Sequence, residues 1–302
     1  WQEWQVAQKA RLDAIAINAD QREIDLRSDE FKHLTNELAD VRRATQAGNL
    51  DLTAEAPLIA AEATAEHDLA AVRLQLMKDW QDLNQMLGLE PSARFAIAAP
   101  APVTLPSDLD ALIGTLPSRR PDLVALQLGY DAADADVRTA ILGQFPAFSL
   151  GLAGGADTSD VISVGPQITF DLPIFDRNQA KLASVNATRQ QLNAEYRSRL
   201  YSSETTARSL LARARVAQSN LEGARRNAQT AAQLLDAAER AYHSGNIDQR
   251  ALADYESASL DRQLDVLGYT RNLQENSLGL SVELGLGFPR TIFAPADQET
   301  HT

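Results

Sequence analysis

The sequence predicts a mainly α-helical protein built from long antiparallel helical hairpins, with one β-hairpin set between them. Three observations predict it. Proline is absent from residues 1–56 and again from 174–288, and both stretches are rich in Ala, Leu, Gln, Arg and Glu, which are good helix formers. A short region around 148–172 alternates apolar with small or polar side chains, the period of two that a strand requires. The chain also repeats itself, because a slide of 197 residues brings Gly48 onto Gly245 and Leu89 onto Leu286 with no gap.

Residues 1–89 read as the first helical hairpin. Gly48 is the only glycine among the first 87 residues, and it sits in the break Ala47-Gly48-Asn49-Leu50-Asp51. A glycine takes the left-handed conformation that ends a helix, and Asp51 can cap the next one. Residues 90–117 form a Pro- and Ala-rich connector (Pro91, Pro100, Pro102, Pro106, Pro117). Residues 118–146 then read as the leading helix of a second repeat. It opens at Ser118-Arg119-Arg120-Pro121-Asp122, where Pro121 suits a helix start and Asp122 the positive end of the dipole.

Residues 147–175 form the β-hairpin. Phe148, Leu150 and Leu152 alternate with Ser149, Gly151 and Ala153. In the second run Ile162, Val164, Ile168, Phe170 and Leu172 share one face, opposite Ser163, Gly165, Gln167, Thr169 and Asp171, with Pro166 breaking the pattern. Alternation of this kind fits a half-buried hairpin of a soluble protein. It fits equally the apolar-out, polar-in strands of a transmembrane barrel.

Residues 176–288 carry the second long helical hairpin. The segment from Lys181 to His243 can be one helix of roughly 60 residues, about 90 Å at 1.5 Å per residue. Leu182, Val185, Leu192, Tyr196 and Leu200 fall at mixed spacings, which predicts an amphipathic face rather than a strict heptad seam. This helix breaks at Ser244-Gly245-Asn246-Ile247-Asp248, and residues 289–302 are a C-terminal tail. Between the repeats, Ala and Leu matches are expected of any two helices. The Gly-Asn-x-Asp blocks at 48–51 and 245–248, and the Leu-Gly-Leu blocks at 87–89 and 284–286, are not. They mark an internal duplication.

The formal net charge of −13 argues against a nucleic-acid partner, whose footprint is a basic patch. With no cysteine, disulfides, thiolate metal sites and cysteine nucleophiles are excluded. No apolar run reaches the length of a transmembrane helix. The start, Trp1-Gln2-Glu3-Trp4, lacks an initiator Met and a signal-like segment, as expected of a processed or trimmed product. Gly-x-Gly-x-x-Gly, Walker and Gly-x-Ser-x-Gly motifs are absent from the sequence, so neither a cofactor nor enzymatic activity is expected. Glu30-x-x-His33 matches half of a di-iron motif, but its partner position in the repeat is Thr230, so it reads as a solvated helix face and no metal site is expected. His243 reads as a helix C-cap beside Gly245.

Three motifs carry a family resemblance. Pro117-Ser118-Arg119-Arg120-Pro121-Asp122-Leu123, Gln144-Phe145-Pro146-Ala147-Phe148-Ser149-Leu150 and Asp171-Leu172-Pro173-Ile174-Phe175-Asp176-Arg177-Asn178-Gln179 resemble the TolC-type outer-membrane factors. The last is similar to members of the metal-cation and related RND-type efflux systems. The resemblance implies a homotrimer in the Gram-negative outer membrane, in contact with outer-membrane lipid. Tandem repeats of helix, β-hairpin and helix would build a shared β-barrel that continues into an α-barrel tunnel in the periplasm. It also implies a periplasmic adaptor (membrane fusion) protein docked on the turn tips, Gly48, Asn49, Leu50 and Asp51 with Gly245, Asn246, Ile247 and Asp248, and an inner-membrane RND transporter behind it. Asp254 lies where the family often has an acidic residue, a candidate pore constriction. The resemblance departs in one respect: the 197 offset puts the first hairpin ahead of Trp1, so the chain holds two strands where four are expected and should not close the barrel alone. The function implied is a passive exit duct for small molecules or metal ions. The alternative is a soluble, elongated helical scaffold with the hairpin as a structural cap.

Overall fold

The structure, a computed structural model, describes residues 2–99, 103–145, 147–156, 162–171 and 178–286. Its elements are α1 (Gln2–Gln46), a short 3-10 turn (Leu52–Ala54), α2 (Glu55–Leu87), α3 (Leu109–Gly114), α4 (Leu116–Arg119), α5 (Pro121–Leu142), β1 (Ala147–Ala156), β2 (Ile162–Asp171), α6 (Gln179–His243) and α7 (Gln249–Glu283). The 65 residues of α6 match the single long helix that the absence of proline predicts. The tail 289–302, and Leu172 to Arg177 of the strand-to-helix motif, lie outside the described residues.

The chain forms two compact units, and α6 contributes to both. In the first (1–109 and 205–288), α1 packs on both α2 and α7. Ile17, Trp80 and Leu83 form one core cluster there. A second joins Ala214, Ala217 and Leu221 of α6 to Leu273 of α7. A run of buried positions in α6, from Ser203 through Ala207, Leu211, Ala214, Ala217 and Leu221 to Ala224, steps by three and four. That near-heptad stripe lies beyond the Leu182–Leu200 stretch whose mixed spacing set the expectation. It is read poorly from sequence because it is mostly alanine, which is common on every face of these helices.

The described part of the connector is held by specific contacts. Asn84, fully buried, donates through Nδ2 to the carbonyls of Pro91 (3.2 Å) and Ala93 (3.1 Å). Phe95 meets Trp80 edge-on at 5.1 Å between centroids, and the Arg94 guanidinium lies 5.0 Å over the same indole. Further on, Val103 and Leu105 pack against the α6–α7 cluster. The connector ends in α3 and α4 rather than in a helix starting at Ser118; Arg120 is extended, with ψ of 120°, because the residue before a proline avoids helical backbone.

In the second unit (110–204 and 289–302), the Arg-Pro-Asp helix start has a specific chemistry. Arg120 donates from Nε to Asp122 Oδ1 (3.0 Å) and from Nη2 to Oδ2 (2.9 Å), and both side chains are buried. The fork-shaped pair fixes the chain's entry into α5. At the other end of α5, Asn178 has a positive φ of 55° and donates from Nδ2 to the Ala140 carbonyl at 3.0 Å. A Cβ at Gly143 would come within 2.7 Å of that Nδ2. A side chain at Gly143 would displace the Asn178 amide from the Ala140 carbonyl, at the base of the β-hairpin.

Between α1 and α7, Arg271 Nη1 donates to Asp20 Oδ1 at 3.0 Å. Burial pushes the Asp20 carboxyl up from its ordinary 3.8 to about 6; the charge of Asp79 adds to this and Arg271 opposes it. Between those values the native state holds a proton that the unfolded chain has released. The stabilisation from this group is thus present near pH 4 and is lost as pH rises through about 6. The unfolding temperature should fall between about pH 4 and about pH 7, and Asp20→Asn should make that fall shallower. An unchanged slope in the variant would mean that Asp20 does not keep its proton.

Candidate functional site: the hairpin tips and the exposed β-hairpin

The two helix breaks fold alike. Gly48 has φ of 76° and Gly245 of 73°. The Gly48 N–H donates to the Thr45 carbonyl and the Asn49 N–H to the Ala44 carbonyl, each at 2.9 Å. Gly245 N–H to Tyr242 (2.9 Å) and Asn246 N–H to Ala241 (2.8 Å) repeat the arrangement. This is the Schellman closure, which satisfies the last helical carbonyls and needs a left-handed residue. It recurs at Gly88 (φ 68°) and Gly285 (φ 62°), where the Leu89 and Leu286 N–H groups donate to Asn84 and Ser281. The duplication read from sequence is therefore also a duplication of backbone geometry. His243 is the last residue of α6, with its ring centroid 6.0 Å from that of Tyr242.

The caps that follow differ. Asp248 accepts from the Ala251 N–H at 2.8 Å and caps α7 directly. Asp51 was expected to cap the next helix in the same way. It instead accepts from the N–H and the hydroxyl of Thr53, both at 2.9 Å, and caps the 3-10 turn, with α2 starting at Glu55. Those two bonds hold the Asp51 carboxyl below the ordinary carboxylate range. The cause of the late start is Pro57, which has no N–H to give to the Thr53 carbonyl and so must sit in a first turn. Its repeat partner is Asp254, which lies exposed in the second turn of α7. Only one of the two tips can therefore present this acid. Leu50 is exposed and Ile247 half-buried; Gly48, Asn49, Asp51, Gly245, Asn246 and Asp248 are exposed.

The β-hairpin pairs antiparallel from Ala147↔Asp171 to Ala156↔Ile162 without a bulge. That register stacks Phe148 on Phe170, Leu150 on Ile168, Leu152 on Pro166 and Gly154 on Val164. From Phe148 to Leu152 and from Val164 to Phe170, one face is apolar across both strands. Phe148, Leu150, Leu152, Val164, Ile168 and Phe170 are each more than half exposed; Leu152 is 81% exposed. The other face pairs Ser149 with Thr169, Gly151 with Gln167 and Gly155 with Ser163. Pro166 stays within the strand and does not interrupt the ladder. Leu172, expected on the apolar face, lies outside the described residues.

One grouping was not foreseen. His33 does not work with Glu30 as a half-motif; its Nε2 lies 2.8 Å from Glu256 Oε2 on α7 and 3.9 Å from Glu37 Oε2. Only the His33–Glu37 spacing of four could have signalled this, since Glu256 comes from the far end of the chain.

Long helical hairpins and an exposed, alternating β-hairpin give the chain the fold of known outer-membrane channels. The chain belongs to the outer membrane efflux protein family, whose sequence profile matches residues 112–286, and its place is the outer membrane. Over 200 residues it is 28% identical to the probable outer membrane lipoprotein SilC of Salmonella typhimurium; the match takes in 62% of this chain and 42% of that protein. The chain thus spans less than half of that relative's length. Among solved structures it resembles the Campylobacter jejuni CmeC outer membrane channel (TM-score 0.78, 13% identity, 95% of this chain and 64% of that one). It also resembles the outer membrane protein VceC of Vibrio cholerae (TM-score 0.72, 20% identity, 93% and 69%). At such identities the likeness is one of fold.

Proposed function

We propose that this chain is part of a passive, trimeric exit duct, the outer-membrane component of a tripartite efflux system, through which small molecules or metal ions leave the periplasm. The observation that carries the reading is the β-hairpin. Its large apolar side chains are exposed on one face, small and polar ones line the other, and each strand is paired on a single side among the described residues. Lipid outside, an aqueous lumen inside and neighbouring strands at both edges would satisfy all three features at once.

The turn tips take the second role. Gly48 to Asp51 and Gly245 to Asp248 would dock a periplasmic adaptor, which links the duct to an inner-membrane RND transporter that supplies the energy. Both tips keep their backbone bonds internal, so their exposed surface is free for a partner helix, and glycine lets that helix approach closely. Asp254, just behind the second tip, would contribute one acid per protomer to a constriction of the tunnel.

Two substitutions test the two ends. Ile168→Arg should cost roughly 2–4 kcal/mol in barrel stability if the residue lies near the bilayer midplane, and Thr169→Arg much less. Heat-modified mobility of the trimer would read this; equal tolerance would favour a soluble scaffold.

Gly245→Trp should impair export while the amount of trimer in the outer membrane stays nearly unchanged. The left-handed backbone strains any side chain there, but the space around Gly245 is open, so the fold can accommodate it. Export lost only in proportion to lost trimer would make the turn structural.

A further inference from the structure

The seam between α1 and α7 holds a grouping that duct function does not require. His33 Nε2, Glu37 Oε2 and Glu256 Oε2 all lie within 4.8 Å of one another. Glu37 is only 5% exposed, and its Oε2 has no hydrogen-bond partner. Leaving such an oxygen buried and unpaired is costly. The imidazole does not resolve it. Nε2 can carry a single proton, and at 2.8 Å that proton belongs to Glu256, leaving the Glu37 oxygen 3.9 Å away.

A cation in place of that proton would satisfy all three atoms. We propose that His33, Glu37 and Glu256 bind a divalent transition-metal ion of borderline hardness, with zinc the best fit, and so tie α1 to α7. The donor set argues the class. One imidazole nitrogen and two carboxylate oxygens suit zinc and its divalent neighbours. Magnesium prefers an all-oxygen octahedron, and soft monovalent metals prefer sulfur, of which these three residues have none. Tetrahedral bonds of about 2.1 Å place ligand atoms roughly 3.4 Å apart, so the present spacing needs only small side-chain rotations.

Second-order features agree. Burial pushes the carboxyls of both Glu37 and Glu256 up; the charge of His33 opposes this in both, while Glu256 adds to the rise of Glu37 and Glu239 to that of Glu256. His33 itself is half-exposed and opens onto a groove of about 360 Å³ lined also by Asp29, Glu30 and Ser257. That groove gives the ion a path from water and leaves room for a water in the fourth position. The grouping is not duplicated: at the repeat offset Glu256 corresponds to Ile59, so each chain carries one such site among the described residues.

The test is calorimetric titration of the detergent-solubilised, chelator-stripped protein with Zn²⁺, repeated with Co²⁺ followed by its visible absorption. One ion per chain is expected, with the unfolding temperature rising as free Zn²⁺ rises. His33→Ala and Glu256→Gln should each weaken Zn²⁺ at least tenfold and abolish that rise, while His67→Ala, an exposed histidine on α2, should change neither. Glu37→Gln should weaken binding too; if it fails to fold, the variant of Glu256, whose side chain is 24% exposed, decides alone. The proposal is overturned if His33→Ala binds Zn²⁺ as the native protein does, if His67→Ala loses as much, or if Mg²⁺ gives the same stabilisation, which would mean general screening of acids.

Discussion

A backbone N–H or C=O facing hydrocarbon without a partner costs several kcal/mol, and the chain's architecture answers to that constraint. β1 and β2 satisfy each other along ten paired positions, which leaves an outer edge on each strand. In water those edges would be hydrated. In lipid they would have to meet other strands, which under the proposed function come from a closed sheet shared between copies. At the base of the hairpin, the Asn178 amide bonded to the Ala140 carbonyl brings the end of α5 against the start of α6.

Away from the membrane the problem changes. Long helices made of alanine and polar residues bury little apolar area per turn, so their association leans on close approach and on buried polar contacts. Ala207 and Ala214 are fully buried in the stripe of α6, and Leu210 of α6 approaches Gly279 of α7 closely enough that a Cβ there would be in van der Waals contact with it. Asp20, Glu37 and Asn84 are buried as well. The α1–α7 seam collects the most demanding of these groups, Arg271 with Asp20 and His33 with Glu256. The titratable groups therefore lie on the seam rather than in the apolar clusters, from about two to four helical turns behind the tips at Glu256 and His33 to about six or seven at Arg271 and Asp20.

What was legible in the sequence was what local chemistry decides. The Gly-Asn-x-Asp turns could be read because a left-handed glycine and a capping aspartate act within five residues, and all four Schellman closures lie where the repeat puts them. The hairpin could be read because a strand's period of two survives even one proline, and the register keeps every even-numbered residue on the apolar face. The late start of α2 was missed, although Pro57 was in plain view, because the repeat argued for symmetry with α7. Contacts between distant segments were illegible for a different reason. Arg271 reaching Asp20 and Glu256 reaching His33 each depend on how elements pack, and no periodicity encodes that.

The central claim is that the hairpin's even face meets lipid and its odd face water. Because the chain has no cysteine, a single cysteine introduced at Leu150 or at Ser149 is the sole site for a nitroxide label. The measurement is power-saturation electron paramagnetic resonance of each labelled protein in outer-membrane vesicles, with oxygen as the lipid-soluble relaxant and a nickel chelate as the aqueous one. The label at Leu150 should be relaxed mainly by oxygen and the label at Ser149 mainly by the nickel chelate. Both labels relaxed by the chelate alone would contradict the account, placing the hairpin in water and returning the chain to the class of soluble helical scaffolds.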